Sequence, residues 1–243
     1  MHTNTSRILT AFSDLPHDGD LVFPSGRDVL DYLHRYARMF DLESRLRCDT
    51  RVEAVTRCDQ GWLVCHDGKQ ETLNLDAGGF DADRYTFHPD LPGLAFMGMW
   101  DQSGGYFVPL ELQARWVAYT WGGAIAPPDD AAQRVAIATY RARRGMPQKT
   151  RMNVAAIVFA RAAGVEPALE NWPQLRRALL FGPLAPSSFR LEGPDALADA
   201  PARFARDAAT FGAITSNELT ARERDYLALL IAPSDPAPPA VPR

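Results

Sequence analysis

The 243-residue chain contains no Gly-X-Gly. Of its 17 glycines, no two are separated by a single residue. That excludes the GxGxxG turn with which many proteins seat a dinucleotide's pyrophosphate on a helix N-terminus. Cysteine is scarce: Cys48, Cys58 and Cys65 show no CxxC spacing. This argues against a disulfide framework and fits a reducing, cytoplasmic setting. Metal-ligand spacing is absent, so no metal site is expected. Positive charge is not in excess: 26 Lys and Arg stand against 30 Asp and Glu, for a net charge of -4. A nucleic-acid binder would show a basic face instead. No apolar run approaches the ~18 residues of a membrane span. The opening MHTNTSRILTAF lacks the charged-then-apolar layout of a signal peptide. There is also no GxSxG elbow, Walker loop or HExxH.

Apolar residues make up 46% of the chain, enough for a core in one large domain or two small ones. The most informative stretch is GLAFMGMWDQSGGYFVPLELQAR, Gly93 to Arg115. It reads as a short buried strand, a glycine-rich loop, and a helix entered at Pro109 with Glu111 in its first turn. Gly104 and Gly105 would let backbone approach a flat ligand. Upstream, Ser25 caps a helix with Asp28 as capping-box partner, and Val29, Leu33, Tyr36 and Phe40 share one face. Leu46–Cys48, Val52–Val55 and Trp62–His66 read as strands, the last closed by an Asp67–Gly68 turn. Residues 129–144, 150–163, 171–181, 194–211 and 218–231 read as helices, with Pro201 expected to shorten the fourth. The proline-rich end reads as a disordered tail over 233–243.

Four blocks together resemble the flavin-containing monooxygenases, in particular bacterial members. They are HTNTSRILTAFSDLP (2–16), FPSGRDVLDYLHRYARMFDLESRLRCDTRVEAV (23–55), FHPDLPGLAFMGMWDQSGGYFVPLELQARW (87–116) and GVEPALENWPQLRRALLFGPLAPSSFRLEGP (164–194). The resemblance implies an α/β fold, an incomplete FAD/NAD(P)-binding core with a helical C-terminal half. The expected division is a remnant of the FAD-binding domain over 1–124, a helical region over 125–232, and the tail. It implies FAD and NADPH as cofactors, and the NADPH- and O2-dependent oxygenation of a soft nitrogen or sulfur or a ketone. Asn4 matches the family's catalytic flavin-side asparagine, flanked by the cofactor contacts Thr3 and Thr5. Arg51 and Val52 match the strand that meets the adenine end of FAD. Pro109, Leu110 and Gln113 match the helix start beneath the flavin ring.

Family members carry two phosphate loops of the GxGxxG type, and this chain has neither. Only five residues stand between Trp62–His66 and Thr72–Asp76, where the inserted NADPH domain would fall, too few for a crossover unit of ~30 residues. The family's FxGxxxH fingerprint is missing too. The chain therefore reads as a truncated member, impaired or inactive by itself. Two other readings stay open. One is a non-catalytic binding protein that partners a small molecule, a complete homologue or a second copy of itself. The other is a gene fragment without selected function.

Other residues have plainer readings. Trp100 and Tyr106 suit packing better than ring-flanking, and His88 suits a loop better than a base. Asp101 and Glu111 need no catalytic role. Arg134, Arg141, Arg143 and Arg144 suit a solvated helix face better than a phosphate site.

Overall fold

The structure is a computed structural model that describes residues 1–46, 48–58, 61–65, 82–100, 102–143, 150–210 and 216–231. Helix α1 (Gly26–Met39) starts where the sequence places it. The Ser25 side chain accepts from the Asp28 amide, and the Asp28 carboxylate accepts from the Ser25 amide. This reciprocal cap satisfies donors that the first turn would otherwise leave bare. Of α1's residues only Tyr32 is buried. Its hydroxyl donates to the Leu15 carbonyl and accepts the Phe12 amide, both at 2.7 Å. Phe12, Tyr36 and Phe107 pack around it.

Strands are few and short. Strand β1 (Ala54–Cys58) pairs antiparallel with β2 (Gly61–Cys65), with Val55 opposite Val64. Strand β3 (Gln102–Ser103) pairs in parallel with β4 (Thr150–Arg151). Among the described residues the architecture is thus mixed, helices with two small sheets. Two expected strands are corrected. Leu46 and Cys48 are not in a strand: a 3-10 turn over Glu43–Arg45 precedes them, and Asp49 follows with φ 53°. The stretch after Gly93 is irregular up to Trp100. Its backbone groups are met elsewhere: the Phe96 amide by the Thr86 carbonyl, and the Gly98 amide by the Gln113 side chain. A side chain has replaced the neighbouring strand that a β-ladder needs.

Helix α2 (Phe107–Trp121) begins two residues before Pro109, so Pro109 is its third residue and Glu111 lies beyond the first turn. The expected entry at Pro109 is corrected. Proline still fits, because the early turn's N–H groups have no intrahelical acceptor. Helix α3 (Asp130–Arg143) follows, then α4 (Met152–Ala162). The main core lies between α2 and α4, where Val108, Leu112 and Trp116 meet Ala156, Phe159 and Ala160. Trp116 stands edge-on to Phe87 at 4.8 Å. Full burial of one such large apolar side chain contributes about 1.5–3 kcal/mol.

The remaining elements are α5 (Arg176–Phe181), a 3-10 turn over Pro186–Arg190, α6 (Ala200–Thr210) and α7 (Ala221–Ile231). Helix α5 begins five residues later than expected, after turns around Asn171 and Trp172. Helix α6 begins at Ala200, so Pro201 occupies its first turn and shortens the element as expected. Leu175, Ala178, Ala185, Leu191, Ala200, Phe204 and Ala208 form a second core. Among the described residues no helix is long and apolar enough to cross a membrane. The Asp67–Gly68 turn, the junction near 66–72, Asp101, Arg144 and the 233–243 tail lie outside the described residues.

Candidate functional site

The first seven residues run beside 22–26. The Thr3 amide donates to the Pro24 carbonyl at 2.9 Å, and the Arg7 amide to Val22 at 2.8 Å. Thr3 Oγ1 donates to the Thr5 carbonyl, and Thr5 Oγ1 lies 3.1 Å from Thr10 Oγ1. Asn4 stands exposed between them. The glycine loop reaches this segment: a Cβ on Gly105 would sit 3.2 Å from Thr5 Cγ2 and 3.5 Å from the Leu9 carbonyl. Tertiary structure therefore joins two stretches read separately, Thr3–Thr5 and Gly104–Gly105, about 100 residues apart. Gly104 has φ +99°, and a Cβ there would lie 3.0 Å from that of Met152. Both facts demand glycine.

Gln102 fixes the loop from below. Its amide side chain donates to the Gly105 carbonyl at 2.6 Å and accepts the Trp100 indole N–H at 2.7 Å. Trp100 is buried and packs on Phe159 and Tyr106, so it is a core residue. Farther along α2, Gln113 is fully buried. Its oxygen accepts the Gly98 amide, and its nitrogen donates to Thr86 Oγ1 and the Phe96 carbonyl. Gln113 thus pins the 96–98 segment to α2. Pro109 is buried, and Leu110 lines the space above Gly98. Arg51 and Val52 are exposed ahead of the β1–β2 pair, whose strands bond to each other. The structure brings Thr5, Gly105 and the start of α2 together, and leaves Arg51 and Val52 on a separate surface.

A polar cluster that the sequence reading missed lies under the same segment. The Ser13 amide and hydroxyl both donate to the Glu111 carboxylate. Arg190 donates to Ser13 Oγ, to Glu111 and to Asp195. Asp195 also accepts from Arg115 at 2.6 Å, and Arg115 reaches the Phe189 carbonyl and the Tyr119 hydroxyl. Arg203 caps the Ser13 carbonyl. With Asp14 4.0 Å from Arg190, three carboxylates and three guanidiniums balance in a largely dry setting, which burial of charge requires. Burial pushes the Glu111 carboxyl up, while the Ser13 hydrogen bonds and the two arginines pull against it. The partners lie up to 190 residues apart, and no local spacing could have revealed them.

His88 Nδ1 accepts the Asp90 amide within its own loop, and Arg134 pairs with exposed Asp90. Among the described residues no group of His, Cys, Asp or Glu could hold a metal.

Whether these residues fit a whole flavin dinucleotide can be asked directly. The close approach that Gly105 permits is taken up by Thr5. The N-terminus of α1 is closed by its own acidic cap. In α2, the proline at the third position removes a donor from the first turn. Two shallow cavities, about 210 and 240 Å³, are lined by none of Asn4, Pro109, Leu110 or Gln113. Small-molecule sites usually occupy about 300–1,000 Å³. Among the described residues the set does not fit FAD.

No family model matches the chain. Over 97 residues it is 37% identical to the FAD-dependent monooxygenase resA of Aspergillus sclerotiorum, covering 35% of this chain and 17% of that protein. Over 120 residues it is 31% identical to human flavin-containing monooxygenase 1, covering 44% and 23%. A 4-hydroxybenzoate brominase (decarboxylating) of Pseudoalteromonas luteoviolacea (strain 2ta16) is 29% identical over 115 residues, covering 44% and 22%. The matches span about a fifth of the length of these curated relatives.

Proposed function

From the premise that the chain is a relative of the flavin-containing monooxygenases, we propose that it is the flavin-side and helical part of a flavin-dependent monooxygenase, and that it does not hold FAD or NADPH by itself. The family reaction would be NADPH- and O2-dependent oxygenation of a small molecule at a soft nitrogen or sulfur or at a ketone. One observation carries the reading: the Thr3–Thr5 segment converges on Gly105 at the head of α2, in a chain without a single Gly-X-Gly. The first half of that observation supports the inherited corner. The second removes the clasp for a diphosphate. Each lost charge-assisted hydrogen bond weakens binding by roughly 1.5–3 kcal/mol, and about 1.4 kcal/mol is tenfold in affinity.

Exposed Asn4 is the residue assigned to the flavin's reacting side in this reading, with Thr3 and Thr5 as flanking cofactor contacts. Pro109 and Leu110 would lie beneath the ring, Gln113 would hold the 96–98 segment in place, and Arg51 and Val52 would face the adenine end. The experiment is calorimetric titration of the purified chain with FAD, alongside its visible spectrum. A colourless protein with no tight one-to-one binding is expected. A stoichiometric flavin band that bleaches with NADPH would overturn the proposal.

A second reading, a non-catalytic interaction protein, draws support from apolar surface. Leu21, Val22 and Phe23 are about half exposed, and Leu30 of α1 likewise. Sedimentation of the same preparation tests it: a monomer at all concentrations argues against self-association.

A further inference from the structure

We propose that the cavity between the N-terminal segment and α6 binds a small phosphate-like oxyanion. The cavity is about 210 Å³ and is lined on one side by Arg7, Phe12 and His17 and on the other by Arg203, Arg206 and Asp207. Its lining includes none of Asn4, Pro109, Leu110 and Gln113, and the inference does not rest on the flavin reading. Three guanidiniums against one carboxylate leave the lining with an excess of positive charge.

The three arginines are not equally engaged. Arg203 spends part of its fork on the Ser13 carbonyl and stands 3.8 Å from Asp199. Arg7 makes one long contact, 3.4 Å to the Asp20 carbonyl. The Arg206 guanidinium has no hydrogen bond or ion pair among the described residues. Free forks at a concave surface suit a tetrahedral oxyanion, which takes paired N–H donors.

A second, independent observation points to an acceptor. His17 Nδ1 accepts the Gly19 amide at 3.2 Å, so in the neutral ring the proton sits on Nε2. That Nε2 is buried and has no partner. The ring is held flat against Tyr32, centroids 5.1 Å apart. A buried donor without an acceptor is costly; His17 also lines the cavity, and in this proposal a turn of its ring brings Nε2 to the anion's oxygen. Burial lowers the His17 pKa, which keeps the imidazole a neutral donor near neutral pH. The single carboxylate is tempered: Ser187 Oγ donates to Asp207 at 2.9 Å. Burial also pushes its carboxyl up, against the pull of Ser187, Arg203, Arg206 and Arg7.

The test is calorimetric titration of the whole chain with inorganic phosphate at fixed ionic strength, with malonate and chloride as comparison anions. Saturable one-to-one phosphate binding is expected, weaker for malonate and absent for chloride. Arg206→Ala should weaken phosphate at least about tenfold, the loss of one charge-assisted hydrogen bond, and Arg7→Ala should do the same. His17→Phe keeps the ring stack on Tyr32, removes the Nε2 donor and should weaken binding by a smaller factor. Circular dichroism of each variant should match the parent. Should Arg206→Ala misfold, Arg206→Gln supplies the same reading. No saturable phosphate heat, phosphate binding unchanged in both arginine variants, or tighter binding of malonate than phosphate would each overturn the proposal.

Discussion

One ridge of α2 carries Val108, Leu112 and Trp116 into an apolar seam against α4. The neighbouring ridge, Glu111 and Arg115, enters a seam of charges that ties Ser13 to Arg190 and Asp195. The two seams share a helix and a four-residue spacing, yet they hold by different physics. Apolar contacts are non-directional and tolerate substitution of similar volume. The charged seam works only as a complete set, because removing one member strands its partners in a dry place. The apolar seam gives the fold its stability. The charged seam fixes which part of the N-terminal segment lies against α2, and with it the position of Thr3–Thr5.

The comparison can be broken most forcefully at Arg190. Arg190→Met removes the partner of Glu111, Asp195 and Ser13 together and should cost about 3–5 kcal/mol in urea unfolding. Adding Glu111→Met should recover part of that loss, because it removes the carboxylate left without a guanidinium while Asp195 keeps Arg115. If the double variant is no more stable than the single, the charged seam is not a matched set. Leu112→Ala tests the other seam. Leu112 is 1% exposed, and its truncation should cost about 2–5 kcal/mol, measured in the same way. No second substitution on a partner should restore it short of refilling the volume.

The smallest effect is expected at the Arg177–Glu223 pair, which joins α5 to α7 near the surface. Hydrogen bonding to Arg177 holds the Glu223 carboxyl at about 2. A carboxyl depressed in the folded state contributes stability above its ordinary pKa and loses it as pH falls toward the folded value. The stability gap between the parent and Glu223→Gln should therefore be present at pH 6 and shrink between about pH 4.5 and about pH 2. A gap unchanged across that range would mean that this ion pair contributes nothing.

Local chemistry was legible where one residue meets its near neighbours. The Ser25–Asp28 capping box acts within four residues, and Pro201 stops α6 at its own first turn. The head of α2 was placed two residues late, because Pro109 is compatible with several early positions of a helix. The apolar composition after Gly93 reads as a short strand, but the partner there, Gln113, is a side chain on another element. In the candidate site, the glycines 104 and 105 and the Thr3–Thr5 segment were each legible. Their contact was not. The arginines of the α6 cavity carried no motif at all.

The sequence alone determined where most of the helices lie, strands around Val55 and Leu63, the absence of a Gly-X-Gly clasp and the likeness to flavin-containing monooxygenases. These depend on residue type and short spacing, which the chain states directly. Only the tertiary structure decided that Thr5 closes on Gly105, that Glu111 is buried with Ser13, and that Arg7 and Arg206 face one cavity. Hydrogen bonds and charge pairs are short-ranged and directional, so residues 98 or 177 apart reveal a partnership only once packing has set them side by side.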